Sequence, residues 1–182
     1  LFDPSDNSWA PTAPIPKELE GHRALKTVSG DVLVTGGIPW SPTRAAFLFQ
    51  SGTSTWKTLP ELAHARSGHS MTNLPDGRVV IVGGFNQQPL NNTEIFTDGS
   101  FVDGLPTIKL HSAHAAVSLH DGRVLISGGT GVTGNESRAV ELYDPDTGAF
   151  EELPSMADVR FRHTATTLND GRVLVAGGFD EE

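Results

Sequence analysis

A chain of 182 residues with 37% hydrophobic and 19% charged side chains has the composition of one ordinary globular domain, and 22 acidic against 13 basic residues give it a formal charge of −9. That balance argues against nucleic acid or an anionic membrane as partner, since both call for a basic surface. The absence of cysteine removes disulfides, thiol nucleophiles and thiolate metal sites.

No apolar stretch approaches the roughly 18–20 residues that cross a bilayer, and the first residues do not read as a signal peptide. The compartment stays open, with a secreted or extracytoplasmic setting preferred. In chain order, the regular features are short extended runs. Leu1-Phe2-Asp3-Pro4 followed by Trp9 matches Leu142-Tyr143-Asp144-Pro145 followed by Phe150, so the sequence enters in the second half of a repeat. Glycine pairs at 36–37, 83–84, 128–129 and 177–178 each close an apolar run, and their second members are 47, 45 and 49 residues apart. Fourteen positions before the first glycine of each pair stand His22, His69, His114 and His163. Each opens a run of small and polar residues that reaches a turn, Asp-Gly in three repeats and Ser29-Gly30 in the first. Asp-Gly between extended runs predicts a hairpin, because glycine supplies the positive φ of a tight turn. These two runs are strands a and b.

Strand b is apolar at consecutive positions, as in Val79-Val80-Ile81-Val82, which suits a strand covered on both faces. Strand a carries small side chains, which suits a crowded innermost position. After the glycine pair come a variable loop, strand c at 46–49, 93–96 and 140–143, and strand d carrying Trp56, Phe101 or Phe150. A repeat of 45–49 residues with four strands each is the signature of an all-β propeller. The division is a half-repeat over 1–15, repeats over about 16–60, 61–106 and 107–154, and a half-repeat over 155–182, in one domain spanning 1–182. The two halves sum to a fourth blade of four antiparallel strands. Pairing the N-terminal strands c and d with the C-terminal strands a and b closes a four-bladed ring. A piece of a larger ring, or a second copy completing one, satisfies the same count.

The glycine pair after strand b, the aromatic on strand c, the Trp or Phe on strand d, and Arg-x-x-His at Arg66–His69 and Arg160–His163 together resemble the kelch motif. The resemblance implies a kelch-repeat β-propeller and covers nearly the whole chain. The first repeat departs from it with Leu19 and Asp31, and the third with His111 and a shortened fourth strand.

Repeated residues are read as architecture. The glycine pairs are not phosphate loops, since no helix and no Lys-Ser or Lys-Thr follows them. The four histidines are expected to hydrogen-bond the backbone of their own or an adjacent blade rather than gather on the axis around a metal. Arg78, Arg123 and Arg172 are expected to pair with Glu94, Glu141 or Asp76. The acidic turn at 144–148 lacks the alternation of a calcium loop. No metal and no cofactor is expected. Asn91-Asn92-Thr93 and Asn135-Glu136-Ser137 fit the glycosylation pattern.

Function is therefore expected in what does not repeat, the b-to-c and d-to-a loops. There Trp40, Arg44, Phe85, Asn86, Gln87, Arg138, Phe161 and Arg162 form the mixture of aromatic and polar groups found at binding surfaces. His64, Arg66, His111 and Phe179 are their neighbours in the same loops. The reading is a non-catalytic module with a protein or glycan partner, monomeric or completing a larger ring as a homo-oligomer. The alternative implied by the resemblance is a sugar-processing enzyme similar to sialic acid epimerases, with axial histidines as acid and base. The copper radical oxidases of the same group need a Cys–Tyr crosslink and a second tyrosine, whereas this chain has no cysteine and only Tyr143.

Overall fold

The computed structural model describes residues 1–38, 40–131 and 137–180, and among them every regular element is a β-strand. β1 (Phe2–Asp3) and β2 (Ser8–Trp9) form an N-terminal hairpin. β3 (Arg23–Lys26), β4 (Val32–Thr35), β5 (Ala46–Gln50) and β6 (Thr55–Thr58) make the first four-stranded antiparallel blade. The second consists of β7 (Ser70–Asn73), β8 (Val79–Val82), β11 (Thr93–Thr97) and β12 (Ser100–Asp103), with a small ladder of β9 (Phe85–Asn86) and β10 (Gln88–Pro89) between β8 and β11. The third holds β13 (Ala115–Ser118), β14 (Val124–Ser127), β15 (Val140–Tyr143) and β16 (Phe150–Leu153). β17 (Thr164–Thr167) and β18 (Val173–Ala176) form a C-terminal hairpin.

The innermost strands stand side by side in the order β3, β7, β13, β17, the arrangement of a propeller. Three blades are complete. The fourth is present as two separate halves, because neither the β1–β2 nor the β17–β18 hairpin pairs with any other strand among the described residues. A two-residue β1 offers little ladder to the four residues of β18.

The core lies between blades. Leu33, Leu59, Leu62, Val79 and Ile81 fill the space between the first and second sheets, and Val80, Val82, Ile95, Val124, Ile126 and Tyr143 that between the second and third. All four residues of β8 are fully buried because a sheet covers each face. This is why strand b is apolar at consecutive positions.

The c-to-d aromatics are directly opposed partners: Phe2 with Trp9, Phe49 with Trp56, Phe96 with Phe101 and Tyr143 with Phe150, with ring centroids 4.9–5.2 Å apart. The expected shortening of strand d in the third repeat is not found, since β16 has four residues; what is shorter is the c-to-d turn of the second blade. β12 keeps four residues, while Asp98 and Gly99, both at positive φ, make the two-residue turn that brings Phe101 opposite Phe96.

At the a-to-b turns, Gly77 at φ +91 follows a turn closed by its N–H to the Leu74 carbonyl. The Asp76 carboxylate accepts from the Arg78 backbone N–H and Nε. Arg123 and Arg172 bond Asp121 and Asp170 in the same way. The expected pairing with Glu94 and Glu141 is therefore not made, because the aspartate two residues away holds each guanidinium at the turn and those glutamates are taken by other partners.

Candidate functional site

The loop face is built by the glycine pairs. The first glycine donates to strand c of its own blade, Gly83 N–H to Asn92 for example, and the second donates to the next blade: Gly37 to the Arg66 carbonyl at 2.9 Å, Gly84 to His111 at 2.7 Å and Gly129 to Arg160 at 2.9 Å. Gly84 has φ +109, and a Cβ there would meet the Ser67 carbonyl at 2.8 Å, so only glycine fits. The glycine pairs are thus junctions between sheets.

The residue three before each histidine sits beneath this junction. Arg66 Nη1 donates to the Gly83 carbonyl, His111 Nδ1 pairs with that of Gly128, and Arg160 Nη1 donates to that of Gly177. Arg66 also forms a fully buried ion pair with Glu94 at 2.7 Å, and His111 bonds Glu141 at 2.9 Å. Each glutamate in turn accepts two backbone N–H groups, from Ala63 and His64 or from Ile108 and Lys109. Burial pushes the Glu141 carboxyl up, but the His111 ring and these two amides outweigh it and hold it below the ordinary range. Burial lowers the Arg66 pKa against the pull of Glu94. In the first blade the equivalent positions are Leu19 and Phe47, an apolar pair in place of a charged one.

The histidines act between sheets, through hydroxyls rather than the backbone groups expected. His69 Nε2 bonds Thr35 of the preceding blade at 2.8 Å, and His163 Nε2 bonds Ser127 at 3.0 Å. In the second blade that position is Val82, and His114 bonds Ser70 instead, at 2.7 Å. His22 is exposed, so the four are not equivalent. Burial, reinforced by nearby cations, holds His69 and His114 well below the usual imidazole pKa, and His163 is also lowered. Among the described residues, no three metal-ligating side chains come together.

Above this layer the two loop sets are bridged into one face. Ser67 pairs with Phe85, Ser112 with Thr130 and Phe161 with Phe179 through backbone hydrogen bonds. The residue before each histidine takes left-handed φ, at Gly21, Gly68, Ala113 and Arg162. Ala113 N–H donates to Gly68 and Arg162 N–H to Ala113, a relay from blade to blade. At the inner ends of the strands these loops enclose a cleft of about 650 Å³.

Of the residues singled out from sequence, Phe85, Phe161 and Arg162 line this cleft. Arg162 lies 5.8 Å over the Phe161 ring, which packs against Phe179 at 5.6 Å. The other five stand elsewhere. Trp40 is 77% exposed, Arg44 is tied to Glu61, Asn86 belongs to β9, and Gln87, at φ +63, is the turn residue between β9 and β10. Arg138 lines a separate hollow with Lys109 and Glu152. Pro39 and residues 132–136, including Asn135 of the second glycosylation pattern, lie outside the described residues. In the first such pattern, Thr93 is buried in β11.

Sequence reasoning missed Arg23, Ser67, Ser112, Thr130 and Thr164, which also line the cleft. Arg23 carried a signal in that it opens strand a, where the other blades have Ser70, Ala115 and Thr164. A sequence model of the kelch motif matches residues 111–157. A search of curated proteins found no match.

Proposed function

In a chain built of kelch repeats, we propose that the cross-bridged loop face is the working surface of a non-catalytic binding module whose partner is a protein or a glycan. The observation that supports this most directly is the division of labour among side chains. Residues that repeat are consumed in the architecture, the histidines on hydroxyls between sheets, the arginines on the aspartates of their own turns and the glutamates on loop amides. The side chains that do not repeat, Arg23, Phe85, Phe161 and Arg162, converge on one cleft. Exposed Phe179 packs against Phe161 beside it, and Trp40 is a second exposed aromatic, in the first b-to-c loop, of the kind that dominates binding energy.

No carboxylate lines the cleft among the described residues, and the two histidines that do, His114 and His163, are buried and engaged with serines. Such a set favours recognition over proton transfer. The test has two arms. Wild-type protein is screened for sugar-epimerase and oxidase turnover, and its binding to glycan and peptide arrays is compared with that of Phe85→Ala and Trp40→Ala. Binding that weakens with these changes and no turnover is the expected result. Turnover lost in His114→Gln, or binding indifferent to both substitutions, would overturn the proposal.

A further inference from the structure

We propose that the axial cleft is a carboxylate-recognition site, with Arg23 and Arg162 as its cationic arms. This rests on reading the loop face as a binding surface and names the chemistry that the surface takes.

The first argument is the distribution of charge. In a chain of formal charge −9, six of the nine arginines are ion-paired: Arg44, Arg66, Arg78, Arg123, Arg160 and Arg172. Arg23 and Arg162 are not paired among the described residues, both line the cleft, and no Asp or Glu lines it with them. Acidic side chains are plentiful, so their absence around two guanidinium groups leaves a local field that attracts an anion.

The second argument is that neither arginine serves the repeat. Arg23 occupies a position where the other inner strands begin with Ser70, Ala115 and Thr164. Its Nε donates to the His69 carbonyl at 2.8 Å, which fixes the side chain while its Nη groups make no hydrogen bond among the described residues. A guanidinium held by one nitrogen with its fork free is preorganised for a bidentate acceptor. Arg162 stands at φ +55, where the equivalent residues are Gly21, Gly68 and Ala113. A long side chain in this conformation works against backbone preference by about 1–2 kcal/mol, so the architecture gains nothing from arginine there.

The third argument comes from the floor of the cleft. The Nδ1 atoms of His114 and His163 are buried without a hydrogen-bond partner, and both residues line the cavity. In the tautomer in which Nε2 accepts from Ser70 or Ser127, Nδ1 carries the proton and is a donor. Ser67 and Ser112 add hydroxyls around the same space, while those of Thr130 and Thr164 donate to the Ser112 and Ala176 carbonyls. Two guanidinium groups and two serine hydroxyls, above the two imidazoles and with no anion of their own, make a site complementary to a carboxylate. Phe85 and Phe161 supply apolar walls for the carbon skeleton that bears it.

A carboxylate reaches such a cleft as a free organic acid or as an Asp or Glu side chain of a peptide. The test uses glutarate and the peptide acetyl-Gly-Glu-Gly-amide as probes, with glutaramide and the Gln peptide as neutral controls. Each is titrated into full-length ¹⁵N-labelled protein while backbone amides and arginine Nε–H signals are followed. The expected result is that the acids, and not the amides, shift the Arg23 and Arg162 signals with millimolar affinity. Glutarate binding as well as the peptide identifies a free acid as the source, and tighter peptide binding identifies a side chain. Arg23→Gln and Arg162→Gly should each weaken binding about tenfold, the loss of one charged hydrogen bond. Arg162→Gly suits the left-handed backbone and keeps the fold. Arg172→Gln, outside the cleft, should change nothing. Equal shifts from acids and amides, retained affinity in the double variant, or equal loss in Arg172→Gln would overturn the assignment. If acids do not bind while array binding still depends on Phe85, the carboxylate assignment falls and the binding-module reading stands.

Discussion

Truncation of Glu94 to alanine removes the buried partner of Arg66, and the structure allows the consequence to be worked through. The Arg66 and Glu94 side chains are 0% and 1% exposed, so water does not replace the lost carboxylate. The guanidinium keeps the Gly83 and Asn92 carbonyls but loses its countercharge, while the Ala63 and His64 amides lose their acceptor. Breaking a buried pair from one side costs about 3–5 kcal/mol, and each stranded amide adds about 1–3 kcal/mol where it stays dry. With relaxation shared among them, Glu94→Ala should destabilise by about 4–6 kcal/mol, a large part of the roughly 5–15 kcal/mol available to a domain. The first blade shows the remedy, since Leu19 and Phe47 hold the equivalent positions. The double variant R66L/E94F removes both charges and should recover about 2–3 kcal/mol relative to the sum of its single variants, with the Ala63 and His64 amides still lacking their acceptor. Urea denaturation followed by far-UV circular dichroism, fitted with a common m-value, measures wild type, Glu94→Ala, the singles R66L and E94F, and the double variant. A cost below about 1 kcal/mol for Glu94→Ala, or a double variant equal to the sum of its singles, would refute the reasoning.

Gly84→Ala should cost about 2–4 kcal/mol, because its Cβ meets the Ser67 carbonyl and φ is +109. Gly52→Ala, with nothing within 4 Å, should be nearly neutral when both are compared with wild type in thermal melts. Thr35→Val should leave the His69 Nε2 unpartnered and lower stability by about 1–3 kcal/mol; an unchanged melting point would count against the hydroxyl pins. His69 and His114 stay neutral in the fold, with pKa values well below 6.5, so the unfolded chain binds their protons first. Their contribution is fully present above pH 6.5 and declines as pH falls toward the folded values, by up to about 2.7 kcal/mol per pH unit for the two. Unfolding free energies measured between pH 7 and pH 5 check this, and His69→Gln should flatten the slope by about half. A flat profile would refute it.

The blade plan was legible because it rests on local spacing. The aromatics seven apart became opposed partners, the glycine pairs closed strand b, and Asp-Gly marked the a-to-b turns. What was not legible depends on long-range partners. Arg66 finds Glu94 across 28 residues, and in the third blade the same role passes to His111, which hid the equivalence of the two pairs. The position at the end of strand b that receives a histidine in two blades varies as Thr35, Val82 and Ser127, so no constant residue announced it. At the cleft, Phe85, Phe161 and Arg162 were visible as departures in the loops, whereas Arg23 opens a strand of the kind read as carrying small side chains. Arg44 and Arg138 carried the same sequence signal as Arg162, but their loops point them at Glu61 and at a separate hollow.

The hydrogen bond from the second glycine of one sheet to the loop of its successor has a direction. Every unit carries a donor on its leading side and an acceptor on its trailing side, and neither requires a particular side chain. A duplicated unit thus arrives with both halves of its own fastening, so copy number can grow by tandem duplication without redesign of any seam. The side chains beneath the seam are then free to drift between charged, aromatic and aliphatic versions, as Arg66–Glu94, His111–Glu141 and Leu19–Phe47 have done.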